Sequence, residues 1–331
     1  MNAAVNGMEQ SVSISYFGKL PTRGDFVKAV DNHQLIAILD RWVGQGIELL
    51  AQDVAWKQLY DNGAPMHFAF MGSRSKAVIA GHLLPSQDAS GRRFPFIAAA
   101  SMEVLQPLRF IARSPLGFSR LYARLEREAN QARHASDPGE TLQNLASQRI
   151  GVNTHADALE PAFQDFLEMQ SVGSFESLIV SSGHTISLRR ILIALGILLQ
   201  PVLSSGAGRL GKGLTLPLPQ DRMYRNLVAT FWLDLVSGFL GRADFELLTL
   251  IKDGPSPTLT IGFNGALGRT LQAMFDRSVD EQENILLDDP DWADDHADDD
   301  YALKKLSSYT GQEGLSLRTA RDTFRETFLG V

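Results

Sequence analysis

A strand, a stiff decapeptide and a helix follow one another near the start of this 331-residue chain, and that succession constrains its fold more than any other stretch. Ser11-Val12-Ser13-Ile14-Ser15-Tyr16 alternates polar and apolar residues, the period of a strand with one buried face. Leu35, Ile36, Leu39, Trp42, Val43, Gly46, Ile47 and Leu50 then recur at helical spacing behind Asn32, a good N-cap residue. Between them lies Gly18-Lys19-Leu20-Pro21-Thr22-Arg23-Gly24-Asp25-Phe26-Val27, a connection longer than most strand-to-helix loops. Its two glycines tolerate positive φ and Pro21 fixes its own. Arg23 and Asp25 place opposite charges two residues apart in it. Long loops on rigid frames are where surface function concentrates, although turn residues and charges also make a plain solvated connector.

A second loop has the same character. The two stretches are Tyr16-Phe17-Gly18-Lys19-Leu20-Pro21-x-Arg23-Gly24-Asp25-Phe26 and Gly81-x-Leu83-x-Pro85-Ser86-x-Asp88-x-x-Gly91-Arg92-x-Phe94-Pro95. In order and separation, with Trp42 and Phe68-Ala69-Phe70 between them, they resemble the TagF (also called ImpM) family of type VI secretion accessory proteins. The resemblance runs over residues 12–104 and thins beyond residue 110.

The resemblance implies a cytoplasmic, non-enzymatic, post-translational repressor of type VI secretion that needs no cofactor. It would act alongside a threonine kinase and a metal-dependent phosphatase and bind the FHA-domain scaffold of the system. The binding residues implied are Gly18, Lys19, Pro21, Arg23, Gly24, Asp25 and Phe26 in the first loop. In the second they are Pro85, Ser86, Asp88, Gly91, Arg92, Arg93 and Pro95. Two other classes compete: a structural subunit of the apparatus, and an enzyme using Asp25 or Asp88 as general base. A carboxylate of perturbed pKa in a closed pocket would mark the enzyme.

Composition removes several functions. The absence of cysteine excludes disulfides, zinc–thiolate sites and thiol nucleophiles. Met1 to Gly7 has neither the basic nor the apolar region of a signal peptide. The longest apolar run, Ile191 to Leu199, is too short to span a bilayer, so a buried helix in a soluble protein is expected. The net charge of −7 is unevenly spread: residues 280–300 hold 11 acids and no Lys or Arg, leaving 27 acids against 31 bases elsewhere. That is no nucleic-acid-binding profile, and the acidic run is expected either to be solvated or to screen a basic face.

Strands alternating with helices predict an α/β fold, a layered mixed β-sheet flanked by helices in an α/β/α sandwich-like arrangement. The expected divisions are an N-terminal domain over 11–170 and an extension over 171–276, either part of the same domain or a second lobe. An acidic linker over 277–302 and an amphipathic C-terminal helix over 303–331 complete the chain. Ser114-Pro115 reads as a helix start, Phe175 to Val180 as a strand, and the acidic segment as loosely ordered by self-repulsion.

Other motifs are weak. Gly206-Ala207-Gly208-Arg209-Leu210-Gly211-Lys212-Gly213 fits a nucleotide-binding glycine pattern, but a helix precedes it and a strand follows, the reverse of what phosphate binding needs. The seven histidines lack zinc spacing, and His82 reads as packed. Asp288 to Asp300 lacks the ligand alternation of a calcium loop.

Overall fold

The computed structural model describes residues 9–205 and 210–331. A short ribbon pairs β1 (Glu9–Ser13) with β7 (Arg149–Asn153). Among the described residues, the main sheet has nine strands in the order β11-β8-β10-β9-β4-β5-β6-β2-β3. These are β2 (Ser15–Gly18), β3 (Val27–Ala29), β4 (Met66–Gly72), β5 (Ala77–Leu84), β6 (Phe96–Glu103), β8 (Gly213–Pro217), β9 (Glu246–Lys252), β10 (Thr258–Gly262) and β11 (Asn284–Leu286). All neighbours are antiparallel except β11 with β8.

Helices cover both faces. On one lie α1 (His33–Leu50), α2 (Trp56–Asp61), α9 (Gly268–Phe275) and α10 (Arg277–Glu283). The other is covered by α3 (Pro107–His134), α4 (Gly139–Ser147), α5 (Ala156–Met169), α6 (Val172–Val180), α7 (Leu188–Ser205), α8 (Arg222–Ser237), α11 (Tyr301–Thr310) and α12 (Leu317–Leu329). Period-two alternation divides each central strand between the two cores: in β4, Met66 and Phe68 join Trp42 of α1, whereas Ala69 and Met71 join the α3 side. Among the described residues, no helix is long and apolar enough to cross a membrane.

Asn32 caps α1 as expected, accepting from the amides of Gln34 at 3.0 Å and Leu35 at 3.1 Å. A Cβ on Gly46 would stand 2.8 Å from the Leu271 side chain, so the glycine permits the close crossing of α1 and α9. β9 pairs with β4 over Met66–Gly72, so the sheet runs unbroken across the expected boundary at residue 170.

Four expectations are corrected. α3 begins at Pro107 and keeps Pro115 inside it. Phe110, Ile111, Phe118, Leu121 and Leu125 bury one continuous stripe there, which outweighs the lost backbone bond. Phe175 to Val180 is helical, started by a capping box between Ser171 and Ser174. The C-terminal stretch is two helices, α11 and α12, turning between Gly311 and Ser316.

The acidic segment is ordered. It forms α10, capped by Asp276, then β11 and a 3-10 turn over Asp291–His296, with Leu287 and Ala293 fully buried. Arg190 bonds Asp289 at 2.8 Å and Asp294 at 2.6 Å, and Arg189 also holds Asp294. Arg189 and Arg190 of α7 offset the repulsion at Asp289 and Asp294, a contribution that charge counting within the segment leaves out. Residues 206–209 of the glycine-rich stretch lie outside the described residues; α7 precedes them and β8 follows.

One buried carboxylate ties four helices of this layer. Asp234 of α8 accepts from Arg113 of α3 at 2.7 Å and Arg321 of α12 at 2.6 Å, and Arg113 also bonds Glu160 of α5 at 2.8 Å. Burial alone would raise the Asp234 pKa, but Arg321 and then Arg113 hold it below its ordinary value. Asp234→Ala leaves two buried guanidinium groups without this partner and is expected to cost about 3–5 kcal/mol in urea unfolding. A loss under about 1 kcal/mol would mean that water reaches the cluster.

Candidate functional site

Antiparallel pairing of β2, β6, β5 and β4 brings the end of β2, the start of β6 and the end of β5 to one end of the sheet. The first loop leaves β2 and the second joins β5 to β6, so the two meet there. Gly18 makes this contact possible. Its φ is +137°, and a Cβ would stand 2.1 Å from the Pro95 carbonyl oxygen of the second loop.

Asp88 locks the loops together. Its side chain has no exposed surface, and its Oδ2 accepts Lys19 Nζ at 3.0 Å across the gap and Arg92 Nε at 2.7 Å. Oδ1 accepts the Ser90 amide at 3.0 Å, the Ser90 hydroxyl at 2.7 Å and the Arg92 amide at 3.0 Å. Arg92 Nη2 reaches back to the Gly24 carbonyl at 2.7 Å, and the Ala89 amide bonds the Arg23 carbonyl at 2.8 Å. Burial on its own pushes the Asp88 pKa up. The bonds from Ser90, the Arg92 amide, Lys19 and the Arg92 side chain outweigh it and hold the carboxyl well below its ordinary value. A carboxylate that stays ionised at neutral pH with both oxygens occupied is a latch, poorly suited to receive a proton as a general base.

The other named residues divide into a frame and a rim. Arg93 bonds Asp61 of α2 at 2.8 and 2.6 Å, lying 5.9 Å over Trp56. Ser86 is clamped through its backbone to the Tyr60 hydroxyl, at 2.9 and 3.0 Å. Pro85, on the wall of an adjoining cavity, accepts Arg133 through its carbonyl at 3.3 Å; Pro95 is buried. Gly91 takes φ +79° to turn the second loop. Arg23 bonds Asp137 after α3 at 2.6 Å, and Asp25 accepts from the Phe26 amide at 2.8 Å.

Phe26 is 47% exposed, a large apolar ring at the surface, with Phe94 edge-on at 4.9 Å and Lys19 at 5.1 Å. The Arg92 side chain is 60% exposed despite its two bonds. Pro21 borders a cavity of about 420 Å³ lined also by Tyr60, Asp61, Ser86, Arg133 and His134. A larger cavity, about 610 Å³, opens by the β9–β10 turn and the acidic segment. Tyr60, Asp61, Trp56 and Asp137 were not foreseen as parts of this site, because no spacing in the sequence links them to the loops. His82 is packed as expected, its Nδ1 3.1 Å from that of His67, and burial lowers its pKa to about 3.

The ends of β2 and β5 and the start of β6 thus hold a pair of charge-latched loops at one end of an α/β sheet. Residues 15–148 match the model of the TagF N-terminal domain family, described as type VI secretion system-associated. Among solved structures, the chain is similar to the crystal structure of PA0076 from Pseudomonas aeruginosa PAO1. The identity is 23%, the match covers 41% of this chain and 62% of that one, and the TM-score is 0.33. No curated protein matches the chain.

The latch makes stability depend on acid. A depressed folded pKa means that the Asp88 contribution is present above the ordinary value of 3.8 and is lost as pH falls through the lower folded value. Asp88→Asn turns an amide toward two cations; it should lower the melting temperature at pH 7 and flatten the loss of stability below pH 4. Equal melting temperatures for the two proteins at pH 7 would remove the latch.

Proposed function

We propose that this protein is a non-enzymatic, post-translational repressor of type VI secretion, acting in the cytoplasm. It works by occupancy: the rim of the latched loops binds a component of the secretion or regulatory machinery and keeps it from assembling. The family match supports the association with type VI secretion. The observation that carries the mechanism is the division of labour in the two loops. Lys19, Asp88 and Arg92 spend their charges on one another, while Phe26, Asp25 and the outer edge of Arg92 stay at the surface. An exposed aromatic ringed by charges is the usual centre of a protein-binding patch.

The partner class is the FHA-domain scaffold of the system, with a functional link to its threonine kinase and phosphatase pair. Overproduction should lower effector secretion and deletion should raise it, with transcript levels unchanged. Deletion that abolishes secretion would make the protein a structural subunit instead. Phe26→Asp and Asp25→Ala replace none of the five donors to Asp88, and unchanged melting curves at pH 7 establish that the latch is intact. Phe26→Asp should weaken pull-down of the scaffold about tenfold or more, as expected when a central aromatic anchor is lost.

A further inference from the structure

A basic cavity lies away from both motif loops. It occupies about 450 Å³ between α3 and β7, and its walls carry Arg120, Arg124, Arg127, Gln148 and Arg149. Three of these arginines stand at i, i+4 and i+7 on α3, a stripe of like charges that repel along a helix face. The fourth comes from β7 and the amide from the residue after α4.

Acid does not balance this charge. Glu128 is buried and shared, taking Arg124 at 3.1 Å and Arg127 at 3.2 Å. Arg120 has Glu9 at 3.6 Å, and Arg149 bonds the neutral Ser13 hydroxyl. Four guanidinium groups thus face two carboxylates among the described residues. Glu128 and Gln148 fix the orientation of Arg124 while Arg127 and Arg120 keep side chains 54% and 71% exposed. The guanidinium forks therefore retain unused N–H donors.

We propose that this cavity binds a compact polyanion of the phosphate class. Arginine forks match phosphate oxygens in pairs, and phosphate packs more charge into a small volume than carboxylates do. Among the described residues, the apolar lining is limited to Ala123 and Ile150, and no aromatic ring is present to stack a nucleobase. The recognised unit is therefore a run of phosphate groups, whether free or carried on a protein.

Calorimetry on the full chain tests this with inorganic tripolyphosphate, a bis-phosphoserine peptide and an oligo-aspartate of equal charge. Tripolyphosphate should bind saturably and weaken as salt rises, and Arg120→Glu and Arg149→Glu should each weaken it about tenfold or more. Arg41→Glu, on the exposed face of α1, should leave binding unchanged. Binding of tripolyphosphate alone identifies a free polyphosphate ligand; binding of the phosphopeptide as well identifies a protein-borne one. Oligo-aspartate binding as tightly as tripolyphosphate overturns the phosphate assignment. Absence of saturable binding, or equal binding by the Arg120→Glu/Arg149→Glu protein, overturns the site. Melting curves establish that each variant is folded, and Arg120→Ala replaces any that is not.

Discussion

The pairing of β4 with β9 is the constraint on which the rest of the molecule depends. It joins strands 174 residues apart in the chain, and without it the sheet would be two pieces, each with a long unpaired edge. Both cores span the join: Leu248 and Leu250 of β9 lie with Phe68 and Trp42, and Leu247 and Ile251 lie with Ala69 and Met71. The family match ends at residue 148, yet the strand that completes its sheet lies about a hundred residues further on.

At the end of that sheet, charge does the work that apolar packing does in its middle. A carboxylate with no exposed surface is unfavourable unless every lone pair is met, and Asp88 meets this condition with five donors from two loops. The loops acquire a fixed shape from this network together with the burial of Leu20 and Pro95 beside it. A binding face that is already ordered loses less conformational entropy when a partner docks.

The sequence revealed the loops more readily than their wiring. Asn32, the alternation in β4 and the helical stripe of α1 are local signals, and local signals survive in a sequence read alone. The pairing of Arg93 with Asp61, and of Lys19 with Asp88, joins positions 32 and 69 residues apart, which no spacing rule relates. The misreadings share one cause. Phe175 to Val180 is as apolar as a strand but is helical because Ser171 and Ser174 cap it, and the acidic run is ordered because Arg189 and Arg190 reach it from another helix. In each case the deciding partner stood outside the window from which the pattern was read.

The distance between β4 and β9 also sets a clock. On the ribosome, β4, β5, β6 and the buried stripe of α1 emerge well before β9 and before α9, which carries Leu271 against Gly46. At about 5–20 residues per second, β9 starts to appear roughly ten to thirty-five seconds after β4 is complete. During that time the nascent chain carries an open strand edge beside Phe68 and an uncovered Trp42. Sequestering those surfaces until the second half arrives is a demand that this topology places on the cell making the protein.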